Sequence, residues 1–196
     1  MSSDESIKLV VGLGNPGSQY EPTRHNVGHW FVDELIRKYN AQFKRESKFK
    51  GDVAKVYVAG HDLYLLKPET FMNLSGQSVS ALARFYKIQA EQVLIIHDEL
   101  DLDPGVARLK CGGGHGGHNG LRDVSEKLGK KYQRIRLGVG HPGHKNMVSD
   151  YVLKKPSQDD RISIERAMES ALAVFELIVA GDSQKAMNEL HTKSSK

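Results

Sequence analysis

The sequence of 196 residues has little of what defines several large protein classes. Its single cysteine, Cys111, excludes a disulfide framework within the chain and a metal site built on several cysteines. Its longest aliphatic block, Val93–Ile96, is far shorter than the roughly 20 residues of a membrane-spanning helix. The sequence contains no internal repeats, which excludes a solenoid. Because residues 1–6 are polar and acidic, we expect no secretory signal and a cytoplasmic protein.

The excess of basic residues is small. The chain has 28 Lys and Arg against 24 Asp and Glu, for a formal net charge of +4. Basic residues cluster at 44–50 and 127–131 and at Arg134 and Arg136. Such clusters are usually solvated faces, although proteins also use them to hold nucleic-acid phosphates. The charge therefore permits a nucleic-acid partner without requiring one.

Apolar runs of strand length alternate with apolar residues at helical spacing. The predicted strands are 7–11, 52–58, 62–66, 93–96, 106–110 and 134–139, and the predicted helices are 26–39, 74–86, 121–128, 162–181 and 184–190. This alternation predicts one α/β domain over 1–196, with a twisted, mixed but mostly parallel sheet that carries helices on both faces. We expect residues 1–6 and 192–196 to be flexible tails.

Unusual polar residues follow the predicted strands. In α/β sheets, ligands bind beyond the carboxyl ends of the strands. Asn15 lies in the loop after the first strand, His97 and Asp98 end the most apolar strand, and His141 follows another. Asp98 comes directly off a buried strand, where a carboxylate needs a partner, and a histidine base is the natural one.

Several motif matches are incomplete. Residues 12–17 match the glycine pattern of a dinucleotide-binding loop, but the helical pattern starts only near His25 and no acid ends a second strand. Residues 111–120 lack the Gly-Lys-Ser/Thr ending of a P-loop, which leaves either a flexible surface loop or a loop whose amides approach a phosphate or carbonyl. The acids of 98–103 do not fit a helix–loop–helix calcium site.

The nine histidines leave a metal hydrolase as the second interpretation. His25 and His29 have the i, i+4 spacing of a zinc-binding helix. However, Asn26 stands where the His-Glu-x-x-His motif has its glutamate, and no thiolate cluster supports a metal.

Read in order, six segments and Tyr20 together resemble bacterial peptidyl-tRNA hydrolases. The segments are 11–17 (VGLGNPG), 23–28 (TRHNVG), 67–76 (KPETFMNLSG), 97–101 (HDELD), 112–121 (GGGHGGHNGL) and 136–143 (RLGVGHPG). Each is weakly diagnostic alone, whereas their order and the matching length are specific. The chain beyond Ser157 carries little of this resemblance.

The resemblance implies a monomeric enzyme that cleaves the ester between a peptide and the 3′ end of tRNA, with no metal or cofactor. It implies that His25 is the general base and that Asp98 holds its imidazole. The residues implied to line the site or to contact the CCA end or the peptide are Asn15, Tyr20, Phe71, Met72, Asn73 and Asn119. Asn15 would help to reject unblocked aminoacyl-tRNA, while Lys110 and Arg136 would hold acceptor-stem phosphates. The implied partner is peptidyl-tRNA, with no membrane and no obligate protein partner.

The implied chemistry is physically reasonable. An aminoacyl ester is already activated, so a water deprotonated by a neutral imidazole is sufficient. Carboxamides can stabilise a developing oxyanion without adding charge. A nucleophilic serine is disfavoured because the chain has no Gly-x-Ser-x-Gly motif. A tRNA- or ribosome-binding module without turnover remains the non-enzymatic alternative.

Overall fold

A computed structural model describes residues 6–193. Within this range one sheet holds seven strands. In chain order they are β1 (Leu9–Gly12), β2 (Lys44–Glu46), β3 (Gly51–Val58), β4 (His61–Pro68), β5 (Val93–Glu99), β6 (Ala107–Cys111) and β7 (Gln133–Gly138). The helices are α1 (Val27–Lys38), α2 (Ser75–Phe85), α3 (Asn119–Leu128), α4 (Val148–Val152), α5 (Gln158–Ala173), α6 (Phe175–Val179) and α7 (Ser183–Lys193).

The strand order is β2-β3-β4-β1-β5-β7-β6. The four central strands, β4, β1, β5 and β7, are mutually parallel, while β3 and β6 run in the opposite direction. The sheet is therefore mixed and mostly parallel, as predicted.

Helices cover both faces of the sheet, because the central strands bury side chains in both directions. Val10, Leu94 and Ile96 belong to a core beneath α1, α5, α6 and α7. Val11 and Ile95 belong to a second core beneath α2 and α3. The continuous apolar run at 93–96 thus fills two cores at once, which explains why it lacks alternation.

One predicted helix needs correction, and two elements of the structure were not predicted. β2 was not predicted, because its three residues form an exposed edge strand with no apolar pattern. The helix predicted over 162–181 is two helices, since the backbone leaves helical geometry at Val174 (φ −108°, ψ 5°) although no Gly or Pro marks the break. The short helix α4 was also not predicted.

Of the segments expected to be flexible tails, residues 1–5 and 194–196 lie outside the described residues. Thr192 belongs to α7, the last described helix. None of the helices in residues 6–193 combines the length and the apolar composition that crossing a membrane requires.

Candidate active site

A cavity of about 1020 Å³ opens at the carboxyl ends of the central parallel strands. It brings together eight of the ten predicted site residues: His25, Asp98, Asn15, Tyr20, Phe71, Met72, Asn73 and Asn119. Asn15 and Met72 are buried, whereas Phe71, Asn73 and Asn119 are exposed. Lys110 and Arg136 do not line this cavity.

His25 lies in a 3₁₀ turn, Arg24–Asn26, that leads into α1. Two glycines allow this turn to come close to the sheet. A Cβ on Gly12 would lie 2.1 Å from the carbonyl oxygen of Gly28, and a Cβ on Gly28 would lie 2.5 Å from that of Ile96. The glycines therefore permit a backbone approach that brings His25 alongside the end of β5.

His25 and Asp98 form a buried hydrogen-bonded pair. The distance from His25 Nδ1 to Asp98 Oδ2 is 2.8 Å. Because an ionised carboxylate only accepts, Nδ1 carries the proton and donates it. Within residues 6–193 no group hydrogen-bonds to the other ring nitrogen, Nε2, and the ring lines the cavity. The arrangement leaves a basic nitrogen available to a molecule in the cavity.

His118 binds the other oxygen of the same carboxylate, a contact that the sequence analysis did not predict. His118 Nε2 lies 2.7 Å from Asp98 Oδ1. His118 is also the N-cap of α3, and its Nδ1 accepts hydrogen bonds from the amides of Gly120 (3.1 Å) and Leu121 (3.2 Å). These two donors require an unprotonated Nδ1, so the proton of a neutral His118 lies on Nε2 and is donated to Asp98.

The charges of the pair follow from these contacts. Burial alone would lower the pKa of His25, but the charge of Asp98 and its hydrogen bond outweigh burial and raise the pKa above 6.5. Burial would raise the pKa of Asp98, yet His25 and His118 hold that pKa well below its usual range. Asp98 is therefore an ionised acceptor at every pH at which His25 titrates.

Two other buried histidines lack such a carboxylate. Burial, together with the charge of Lys67, lowers the pKa of His29 to about 3. Burial, with a smaller contribution from His118, lowers the pKa of His97 to about 3 as well. His97 Nδ1 bonds to the carbonyl oxygen of Asp98 (2.9 Å), and its ring packs edge-on against His118. Both rings are therefore neutral near pH 7.

Asn15 is held by three hydrogen bonds. Its backbone N–H donates to Asn26 Oδ1 and its carbonyl oxygen accepts from Asn26 Nδ2, both at 2.9 Å. Its side-chain Oδ1 accepts from the amide of Met72 at 2.7 Å. Since this last bond identifies the oxygen, the NH₂ group of Asn15 is the end of the carboxamide available to the cavity.

His25, Asp98 and His118 form the one set of three possible metal ligands in residues 6–193 whose ligand atoms lie within 4.8 Å of one another. Their hydrogen bonds argue against coordination. A metal would need the lone pair of His118 Nε2, and that tautomer would place a proton on Nδ1 opposite two backbone N–H donors. The three side chains thus fit a hydrogen-bonded network better than a metal site.

Lys110 and Arg136 lie on β6 and β7, at the edge of the sheet beyond the glycine loop. The register pairs Lys110 with Arg134 and Arg108 with Arg136, so the four basic side chains share one face. Arg136 reaches Glu99 at 3.7 Å, whereas the buried Arg134 bonds the carbonyl oxygen of Gly114. A basic strip therefore borders the cavity without entering it.

Further residues also line the cavity, and of these the sequence analysis named only His141, which follows a predicted strand. They include His115, Arg122, His141, Lys145, Val148, Ser149, Val152 and Leu153. Lys145 lies in the turn before α4, Val148, Ser149 and Val152 lie in α4, and Leu153 follows it. A helix of five residues is too short for its apolar spacing to be recognised in the sequence. Only the position of His118 just before a predicted helix could have suggested its role as a cap.

The sequence and the structure are both similar to those of known proteins. A sequence model of the family described as peptidyl-tRNA hydrolase matches residues 9–196. A peptidyl-tRNA hydrolase of Neisseria meningitidis serogroup A is 54% identical over 189 residues, covering 96% of this chain and 98% of that protein. One of Pectobacterium atrosepticum is 52% identical and covers 95% and 96%. A crystal structure of the Acinetobacter baumannii enzyme superposes with a TM-score of 0.94 at 48% identity, over 97% of both chains.

Proposed function

The chain belongs to the peptidyl-tRNA hydrolase family and hydrolyses peptidyl-tRNA, and we propose that His25 is the general base of this reaction. The observation that carries the proposal is the 2.8 Å bond from His25 Nδ1 to the buried Asp98. It supports a tautomer whose Nε2 takes a proton from water as that water attacks the ester carbonyl. Asp98 stabilises the imidazolium without taking its proton. When the tetrahedral intermediate collapses, the bond from the carbonyl carbon to the 3′ oxygen breaks and the imidazolium returns the proton to that oxygen, which releases tRNA and a peptide with a free carboxyl group.

We propose that the carboxamides distinguish a blocked amino group from a free one. The NH₂ of Asn15 can donate to a peptide carbonyl oxygen, but it would oppose the α-ammonium of an unblocked aminoacyl-tRNA. Asn73 and Asn119 supply further uncharged donors for the developing oxyanion. This selectivity would limit the loss of aminoacyl-tRNA.

We propose that the tRNA part of the substrate extends from the cavity to the basic strip on β6 and β7. The exposed ring of Phe71 and the ring of Tyr20 can stack on bases of the CCA end, with Met72 beside them. Lys110 and Arg136 would then hold acceptor-stem phosphates. We propose that the enzyme acts as a monomer without an obligate protein partner. We place the enzyme in the cytoplasm, where translation produces its substrate.

The test is release of the N-acetyl amino acid from N-acetyl-aminoacyl-tRNA in the presence of EDTA. His25→Ala is expected to lose about 10²–10⁴ in kcat/KM while tRNA binding persists. His144→Ala is the matched control, because His144 is exposed and outside the cavity, and it should match the wild type. Wild-type protein that binds tRNA without turnover would favour the binding-module alternative. Loss of activity in EDTA with recovery on added zinc would favour the metal hydrolase.

The phosphate contacts have a separate test. Lys110→Ala should weaken tRNA binding and reduce the slope of log K against log salt by about 1, because one fewer counterion is released. Lys155→Ala, a change at an exposed lysine outside the cavity, is the control. A salt slope equal to that of the wild type would argue against a Lys110–phosphate contact.

A further inference from the structure

One wall of the cavity is formed by α4, a helix that is too short to be stable in isolation. α4 has five residues, and together with the turn before it and the residue after it it supplies Lys145, Val148, Ser149 and Leu153 to the lining. Helices of this length are not stable in isolation, so their position depends on contacts with the rest of the protein. The contacts of α4 therefore determine the width of the cavity beside His25.

Several of these contacts come from Arg24, the residue that precedes His25. Its Nη1 donates to the carbonyl oxygens of Tyr151 (2.9 Å) and Lys154 (3.3 Å), and its backbone N–H also donates to Lys154 (3.1 Å). Its guanidinium carbon lies 3.8 Å from the centroid of the Tyr151 ring. The Tyr151 hydroxyl in turn donates to the carbonyl oxygen of Val139 at 2.6 Å. Arg24 thus binds the C-terminal end of α4 through one guanidinium nitrogen, which donates to two carbonyl oxygens, and through the face of the guanidinium, which stacks on the Tyr151 ring.

No ion pair among the described residues compensates the buried charge of Arg24. Arg24 is 9% exposed, and within residues 6–193 no carboxylate pairs with it. Its charge is matched instead by carbonyl oxygens at a helix C-terminus and by the face of an aromatic ring. A lysine keeps the charge, but its ammonium has no planar face that could stack on the Tyr151 ring while donating to both carbonyl oxygens.

We propose that Arg24 is a positioning residue for substrate binding, which fixes the α4 wall at its working distance from His25. The proposal rests on the proposed function only in placing the substrate in this cavity. Arg24 does not contact the reacting atoms. Its effect is on how tightly the cavity holds peptidyl-tRNA, because a wall displaced by about 1 Å loses contacts in the bound complex.

The experiment compares Arg24→Lys with Arg161→Lys in the full chain. Arg161 is a matched control, because it also stacks on an aromatic ring, that of Trp30 at 4.1 Å, but lies outside this cavity. For N-acetyl-aminoacyl-tRNA, Arg24→Lys should raise KM about tenfold and leave kcat within about twofold. The midpoint of its pH–rate profile should equal that of the wild type, because the His25–Asp98 pair is untouched. Arg161→Lys should change none of these values.

Tyr151→Leu keeps the proposal testable if Arg24→Lys does not fold. It removes the stacked ring and the bond to Val139 while retaining the backbone carbonyl, and it should raise KM in the same direction. An unchanged KM in a folded Arg24→Lys or Tyr151→Leu variant would overturn the proposal. So would a fall in kcat with a displaced pH midpoint, which would assign Arg24 to the base instead. Failure of the His25→Ala test would leave this KM comparison intact.

Discussion

His25 and His29 are four residues apart and both are buried, yet their pKa values are shifted in opposite directions. The pKa of His25 is raised because Asp98 lies 2.8 Å from its ring. The pKa of His29 is lowered to about 3, since burial is reinforced by the charge of Lys67 and no carboxylate bonds to its ring. The contrast shows that one carboxylate at the end of β5, rather than histidine content or burial, makes a titrating base.

The largest expected effect comes from making His25 resemble His29. Asp98→Asn keeps the shape of the side chain but removes the charge that raises the pKa of His25, so burial then dominates. We expect kcat/KM to fall about 10²–10⁴-fold. Only neutral His25 accepts a proton, so the midpoint of the pH–rate profile reports the pKa of His25. This midpoint lies above 6.5 in the wild type and should move below 6.5 in Asp98→Asn. An unchanged midpoint would assign the titration to another group.

His118→Ala should have the next largest effect. It removes the hydrogen bond to Asp98 Oδ1, so the carboxylate is less firmly oriented toward His25. The loss of about one buried charged hydrogen bond predicts a fall of roughly tenfold in kcat/KM. His115→Ala serves for comparison, because His115 lies in the same loop but makes no bond to Asp98. Equal losses in the two variants would indicate a general effect of the loop.

The smallest catalytic effect is expected at His29, where the change should appear in stability. Between pH 6.5 and about 3, His29 is protonated in the unfolded chain but stays neutral in the folded protein. The free energy of unfolding therefore falls as pH falls. His29→Gln should remove about 2 kcal/mol of the loss between pH 7 and pH 5, measured by urea unfolding. Its kcat/KM at pH 7.5 should remain within about threefold of the wild type. An unaltered pH dependence of unfolding would mean that His29 is protonated in the folded protein.

These contrasts also show what could be read from the sequence. The apolar run at 93–96 and its polar end predicted a buried strand that delivers Asp98 to a site, because strand burial and the site edge are local consequences of sequence. The exposed β2 and the break at Val174 carry no such pattern. Both features depend on tertiary contacts with the rest of the fold and not on the local sequence.

The site shows the same division. Asp98 could be expected to need a partner, since a buried carboxylate must be satisfied. That His118 would also bind it could not be predicted, because the contact depends on how residues 111–117 turn back, with Gly116 and Gly117 at positive φ. The tautomer of His118 likewise follows from amides that face it only in the folded protein.

The glycine-mediated approach of the His25 turn to β5 has a consequence for folding. His25 follows β1 and Asp98 ends β5, 73 residues later, and these two strands are parallel neighbours. Their pairing must close a long loop that includes α1, β2, β3, β4 and α2, and such non-local contacts form slowly. During refolding, much of the helical structure can therefore form before His25 and Asp98 come together as a catalytic base. Recovery of esterase activity should accompany the pairing of β1 with β5, so catalysis itself reports the formation of the central sheet.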